Sequence, residues 1–382
     1  MPATPLTHVA RRLFVNVEKE CGDLAEDSMF LPTERYHDPA QYEKEIELIF
    51  HRVPLVVALS VDLREPGDYR ALDIAGRSVL AVRGDDGVAR AFVNACRHRG
   101  ATVVCNGAGS ARRFTCPYHA WSYDNQGALV GVPGRDSFGE IDVTGLVELP
   151  TQERVGMIFA VLRPDGDIDV DTWLGGMADA LALMRLDELH RYEVTTTLDS
   201  PNWKIAADGY VDGYHIGYLH KNTIGLKSIT NRNTYDAFNA HQRIGFATKA
   251  TAGLRDQPEA EWDLVEVMSL VHYVFPNVSI AGGLGDALMM SRLSPGPTAT
   301  QSRTTQFQYF RHPLVTDEDK AMAEDRRRMY ESVVRDEDYI TGFGITRALP
   351  AFGDDHFRFG QNEVGNQHLH GTIERLVTTG TT

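Results

Sequence analysis

The sequence predicts an α+β chain in which a small all-β module is set inside a unit that mixes helices and strands. Three changes of texture along the 382 residues carry that expectation. An apolar stripe at helical spacing precedes Pro54, short β-branched runs fill roughly 50–163, and helical and strand patterns mix after Pro164. Two domains are expected: 50–163 as the inserted module, and 1–49 with 164–382 as the larger unit.

In "HDPAQYEKEIELIF", Asp38 is the expected N-cap and Pro39 the first helical residue, with Tyr42, Ile46, Ile49 and Phe50 on one face. "PLVVALSV", "RSVLAVRG" and "VARAFVNAC" then read as strands, with Asp85-Asp86-Gly87 as a turn. Further strands run through "FTCPYHAWSYDNQGALVG", turning at 124–127, to "GMIFAVLRP". After Pro164, "DTWLGGMADALALMRLDEL" predicts a helix, "YEVTTTLD" a strand and "NWKIAADGYVDGYHIGYLH" a second helix. "SRTTQFQYFRH" predicts a strand with Thr305, Phe307 and Tyr309 on one face. A long helix begins at the N-cap Thr316, with Asp319 three residues on, and a loose tail is expected after Gly353.

Composition excludes several classes. No apolar run of eighteen residues is present, so no membrane partner is expected, and the N-terminus lacks the apolar core of a secretory signal. Four cysteines are too few for a disulfide scaffold, which predicts a reducing, cytoplasmic setting. A formal charge of −15 argues against nucleic acid.

Two of those four cysteines sit beside histidines, in "CRHRG" and "CPYHAW". Cys96 and His98 are followed, after seventeen residues, by Cys116 and His119. Zinc fingers pair their cysteines together and their histidines together. Here each loop offers one of each, which suits a [2Fe–2S] cluster with two thiolates on one iron and two imidazoles on the other. Zinc and plain core packing are the alternatives.

A second constellation lies in residues 202–220, where His215 and His220 are five apart and Asp212 precedes His215 by three. Five residues of regular helix turn by about 140°, so the imidazoles meet only if the helix breaks or bulges. Asp212 shares a face with His215 and can hold its other ring nitrogen. Two histidines and a carboxylate would form the facial triad of a non-haem iron(II) site; two interfacial histidines on a helix are the plainer reading.

"FVNACRHRGA", "YHAWSYDNQGAL" and the run Asn202-Trp203-Lys204, Asp212, Tyr214-His215, His220 resemble the Rieske non-haem iron oxygenases, in their catalytic α subunit. The resemblance spans about Tyr36 to Val377. It implies a helix-grip-like catalytic domain of antiparallel sheet flanked by helices. It also implies a Rieske [2Fe–2S] cluster on Cys96, His98, Cys116 and His119, and mononuclear Fe(II) on His215, His220 and a distant carboxylate. Register against the family favours Asp338 for that carboxylate, with Asp336 second; Thr346 and Ala348 depart from the family's usual Gln and Gly. Asp212 is implied to bridge His215 to His119 of the partner subunit in a homotrimer, or in an α3β3 assembly. O2 is the implied cosubstrate.

Electrons must come from a separate ferredoxin or flavin reductase using NAD(P)H, because this chain has no nucleotide fingerprint; "GGLGDA" reads as a turn. Arg97, Arg99, Arg112 and Arg113 are the expected docking charges, with local salt bridges as the alternative. Gly209, Tyr210, Ile216 and Gly217 match places that line the family's pocket, with Phe275, Asn277, Met289 and Met290 as further candidates. Gly209 and Gly217 are expected to leave room, while His356, His368 and His370 are expected at the surface. The expected activity is hydroxylation or oxidative demethylation of an apolar aromatic or alicyclic compound. Ring cis-dihydroxylation is the alternative, and a non-catalytic electron carrier the third.

Overall fold

Leu55–Leu59 is buried at all five positions and Met157–Ala160 at all four, so these short apolar strands form sheet interior rather than surface. They belong to a computed structural model that describes residues 6–353 and 355–380. The chain divides into two units: Ile46–Leu189, and the described residues of Met1–Glu45 with those of His190–Thr381.

The unit Ile46–Leu189 holds three antiparallel sheets. One has five strands in the order Glu148–Leu149, Ala89–Val93, Arg77–Arg83, Asp68–Ile74, Gly107–Ser110. A second orders Thr151–Arg154, Met157–Ala160 and Leu55–Leu59, and a third Arg113–Thr115, Ser122–Asp124 and Leu129–Gly131. Both expected turns are present, closed by Gly87 N–H to Gly84 O and by Gly127 N–H to Asp124 O. Gly127 is required twice over: its φ is +85°, and a Cβ there would run into the ring of Phe92. Cys96 and Cys116 lie in the core with Leu80, Phe92, Phe114 and Tyr123.

The helix expected over 171–189 is instead three pieces, Val170–Leu174, Met177–Ala182 and the 3-10 turn Leu186–Glu188. Gly175, at φ +49°, ends the first piece, and the Gly175-Gly176 pair prevents its continuation. These pieces fall within the first unit, so its boundary lies beyond residue 163.

The other unit is built on an eight-stranded antiparallel sheet. Its order is His190–Arg191, Ser302–Phe310, Ala287–Pro295, Val278–Gly282, Met268–Val274, His241–Ala247, Thr234–Phe238, with Thr196–Ser200 also pairing with Ser302–Phe310. Gly282 and Gly283 turn the chain between two of these strands at φ +94° and +93°. The helix Asp317–Ser332 starts in the expected capping box of Thr316 and Asp319. The described part of the tail is regular, not loose: His356–Phe359 pairs with Met29–Pro32, and Val364–Thr379 is a helix whose inner face buries Leu369, His370, Ile373 and Leu376. Its apolar positions recur at helical spacing, a signal the polar "GQNE" before it conceals.

The helix Trp203–Val211 packs on Met268–Val274, Ala287–Pro295 and Val364–Thr379, which fixes the segment leading to His215 and His220 against the sheet. Asn202 caps it, accepting from Lys204 N–H at 2.7 Å while its own Nδ2 donates to Tyr36 O and Ala299 O. Trp203 is fully buried, and Lys204 Nζ donates to Glu45 at 2.7 and 2.5 Å. No helix among the described residues is long and apolar enough to cross a membrane.

Candidate functional site

The two Cys/His loops are built alike. Cys96 N–H donates to Ala101 O and Gly100 N–H to Cys96 O; Cys116 N–H donates to Trp121 O and Ala120 N–H to Cys116 O. Each turn closes through a left-handed residue, Gly100 at φ +73° and Ala120 at +56°. Both thiols are buried and neither is in a disulfide, and the rings of His98 and His119 lie 4.6 Å apart. His98 stacks on Trp121 at 5.0 Å, and its buried Nδ1 has no partner among the described residues. Buried thiols facing two imidazoles, one with an orphaned nitrogen, fit a cluster with thiolates on one iron and imidazoles on the other. Tyr123 Oη accepts from Arg97 N–H at 2.9 Å and lies 3.2 Å from Cys96 Sγ, so its own proton is directed at the sulfur. A hydrogen bond to a ligand sulfur raises the potential of such a cluster. Sequence reading passed Tyr123 over because an aromatic in a strand signals only packing.

The second site depends on a break in the ligand helix. Trp203–Val211 ends at Asp212, whose ψ of 121° is extended, and a 3-10 turn His215–Gly217 follows. The break supplies the rotation a regular helix lacks, and His215 Nε2 and His220 Nε2 come within 3.1 Å. Asp338 Oδ1 lies 3.1 Å from His220 Nε2 and 3.6 Å from His215 Nε2. Asp336 is elsewhere, bound on the surface by Arg335 and Ser332.

Each imidazole is held from behind by a carboxylate. Asp212 Oδ2 is 2.7 Å from His215 Nδ1, and Glu337 Oε2 is 2.5 Å from His220 Nδ1. With both Nδ1–H groups donating hydrogen bonds to carboxylates, the two Nε2 lone pairs and the Asp338 carboxylate point at one another. Three acceptors converging with no donor among them require a cation, so this set fits a divalent metal. Burial lowers the His220 pKa, but the hydrogen bond and charge of Asp338, and then of Glu337, outweigh it and the net direction is upward. Glu337 and Asp338 serve both positions because they lie in a π-turn, Val333–Tyr339, which aims neighbouring residues at different rings of the site. Glu337's role was not legible, since acidic residues on a helix usually face solvent.

A cavity of about 540 Å³ opens onto His215, Asp212 and Asp338. Tyr36, Tyr210, Phe352, Phe357 and Phe359 give it aromatic walls, and Asp208 and Glu363 add carboxylates. The Glu363 carboxyl is pushed up by burial and by the charges of Asp212 and Asp208, although Gly360 N–H acts the other way. Gly209 and Tyr210 line the cavity as expected, and beside Gly209 there is open space. Ile216 and Gly217 are not on its wall, and a Cβ at Gly217 would strike Thr230. Phe275, Asn277, Met289 and Met290 are also absent from the wall; all four are buried in or beside the sheet. His356 is exposed and His368 half-buried, but His370, expected at the surface, is 4% exposed and bonded to Asp208.

Arg97, Arg99, Arg112 and Arg113 are all exposed, and among the described residues none pairs with a carboxylate; Arg99 instead lies 5.2 Å over Tyr118.

Residues 53–151 match the family described as Rieske [2Fe-2S] domain, and 186–379 that described as ring hydroxylating alpha subunit (catalytic domain). The carnitine monooxygenase oxygenase subunit of Escherichia coli (strain K12) is 27% identical over 378 residues, covering 95% of this chain and 97% of that protein. The chlorobenzene dioxygenase subunit alpha of a Cupriavidus species is 35% identical over 192 residues, covering 47% of this chain and 42% of that one. The crystal structure of the quaternary ammonium Rieske monooxygenase CntA with L-carnitine shares the fold, with a TM-score of 0.76 at 22% identity over 93% of this chain and 96% of that one. The chain therefore belongs to the ring-hydroxylating α subunits, the terminal oxygenases that combine a Rieske [2Fe–2S] cluster with a mononuclear iron and O2.

Proposed function

We propose that this oxygenase inserts one oxygen atom into a small quaternary ammonium compound, drawing electrons from NAD(P)H through a separate ferredoxin or flavin reductase. The observation that carries the reading is the cavity, which reaches His215 and Asp338 between aromatic rings and carboxylates. A cation is attracted by both kinds of wall, whereas a neutral ring gains nothing from the carboxylates. The likeness to carnitine monooxygenase over nearly the whole chain supports the same substrate class.

In this reading Cys96, His98, Cys116 and His119 hold the cluster, and His215, His220 and Asp338 hold iron(II). When bound, these groups pass single electrons and activate O2 beside the substrate. Asp212 and Glu337 keep His215 and His220 in the tautomer that presents Nε2. Tyr36, Tyr210 and the phenylalanines exclude water and orient the substrate. The stoichiometry is C–H plus O2, two electrons and two protons, giving C–OH and water. Chains assemble in rings of three in which Asp212 also reaches His119 of the partner subunit.

Cis-dihydroxylation of an apolar aromatic ring is the second reading, and the 35% identity to a chlorobenzene dioxygenase over about half the chain favours it. A bare electron carrier would have no use for the convergence of His215, His220 and Asp338.

Turnover with a partner reductase under 18O2 tests the proposal, comparing choline, carnitine and glycine betaine with benzene and naphthalene. Consumption of a trimethylammonium compound, with one labelled oxygen inserted, is expected. A cis-diol carrying two labelled atoms, with the ammonium compounds untouched, would replace the first reading by the second.

A further inference from the structure

Asp208 stands on the cavity wall one helical turn ahead of Asp212 and takes no part in the convergence of His215, His220 and Asp338. Three donors from two other segments meet on its carboxylate. Tyr36 Oη–H donates to Oδ2 at 2.6 Å, His370 Nε2 lies 2.8 Å from Oδ1, and Asn366 Nδ2 donates to Oδ1 at 3.2 Å. Tyr36, Asn366 and His370 are 1%, 2% and 4% exposed, while the Asp208 side chain keeps 17% of its surface. The donors are buried and the carboxylate faces the cavity.

Two further observations point to a ligand. Asn366 gives its N–H groups to Asp208 and leaves a buried Oδ1 on the same wall with no partner among the described residues. The carboxylate also adjoins linked aromatic rings, with Tyr36 5.2 Å from Phe357 and Phe357 5.6 Å from Phe352. Among the lining residues Arg358 is the one guanidinium, and it lies 5.9 Å over the ring of Phe30. A carboxylate serving only to pin the C-terminal helix would need neither a cavity face nor an orphaned acceptor beside it.

We infer that Asp208 is the counter-ion that selects a cationic head group, with the rings of Tyr36, Phe352 and Phe357 closing around its methyl groups. Tyr36, His370 and Asn366 are positioning residues that hold the carboxylate in one orientation. The inference rests on the substrate class proposed above and assigns its selection to one residue. A carboxylate fixed before binding spends no ordering entropy when the ligand arrives. The aromatic faces add cation–π attraction in a partly desolvated site.

The test is calorimetric binding to anaerobic holoenzyme of choline and of its neutral carbon isostere, 3,3-dimethylbutan-1-ol. Wild-type protein is expected to prefer choline, and Asp208→Asn to weaken choline at least 10-fold while changing the isostere less than 2-fold. Iron content should be unchanged. Tyr36→Phe, which removes one of the donors, should give a smaller loss confined to choline, and it carries the test if Asp208→Asn does not fold. Equal losses for both ligands, or none for either, would overturn the role of Asp208. If the wild-type protein does not discriminate between the two, the substrate class itself fails, and the inference with it.

Discussion

Glu337 and Asp212 do the same work at the two histidines, each accepting a hydrogen bond from Nδ1–H and turning Nε2 inward. Carboxylates in that position typically alter metal affinity by about 10–100-fold. Glu337→Leu is therefore expected to weaken iron binding by about that factor. Glu337→Gln, whose amide oxygen still accepts, should lose less; chelator competition under anaerobic conditions measures both. Equal behaviour of the two variants would remove Glu337 from the site. A different histidine sets a pH limit. His272 is buried without a hydrogen-bond partner for either ring nitrogen among the described residues, and burial, then the charge of Arg243, push its pKa down to about 3 despite Asp236. A depressed folded-state pKa means full stabilisation above the unfolded value of about 6.5, lost as pH falls toward the folded one. Between those limits each pH unit costs up to about 1.4 kcal/mol. Replacing His272 by Leu should flatten the fall in melting temperature between pH 6 and pH 4, and an unchanged slope would show that the ring is already protonated.

Among the elements, the ligand helix and the π-turn are the two irregular pieces that make the site. The helix break was legible, because histidines five apart cannot converge on a regular helix. The π-turn was not, since "VVRDEDY" has no residue that marks it; only the family register singled out Asp338. Asn202-Trp203-Lys204 likewise showed as a motif without a reason, which the fold supplies. Glu45, 0% exposed, receives Lys204 at both oxygens and also Trp203 Nε1 and Gln41 Nε2. Breaking a buried pair by removing one partner typically costs about 3–5 kcal/mol, whereas replacing both by apolar residues is often neutral. Glu45→Ala should accordingly lower the melting temperature far more than the double change Glu45→Leu/Lys204→Met. The reverse order would mean that the pair is not what ties the ligand helix to Pro39–Glu45.

Over the whole molecule, the two Cys/His loops stand out in the sequence because each pair, Cys96 with His98 and Cys116 with His119, is local. The cavity could not. Its carboxylate anchor joins residues 36, 208, 366 and 370, a separation no motif spans, and six of the eight pocket candidates, Ile216, Gly217, Phe275, Asn277, Met289 and Met290, are off the wall. The charge distribution was legible: Arg97, Arg99, Arg112 and Arg113, which among the described residues pair with no carboxylate, stand on a chain of formal charge −15. Such a patch steers an acidic donor over a screening length of about 8–10 Å at ordinary salt. Reversal of two charges in Arg112→Glu/Arg113→Glu should slow reduction by the partner about 10-fold or more at low salt, with the gap closing as salt rises. Stopped-flow reduction of the cluster reads this directly, and identical rates at low salt would place docking elsewhere.

Quantifying iron and acid-labile sulfide in anaerobically reconstituted protein, wild type beside His220→Ala, bears most directly on the coexistence of two unlike metal centres in one chain. Three irons and two sulfides per wild-type chain, falling to two and two in the variant, is the expected result. Two and two in both proteins would mean that His215, His220 and Asp338 meet without holding a metal.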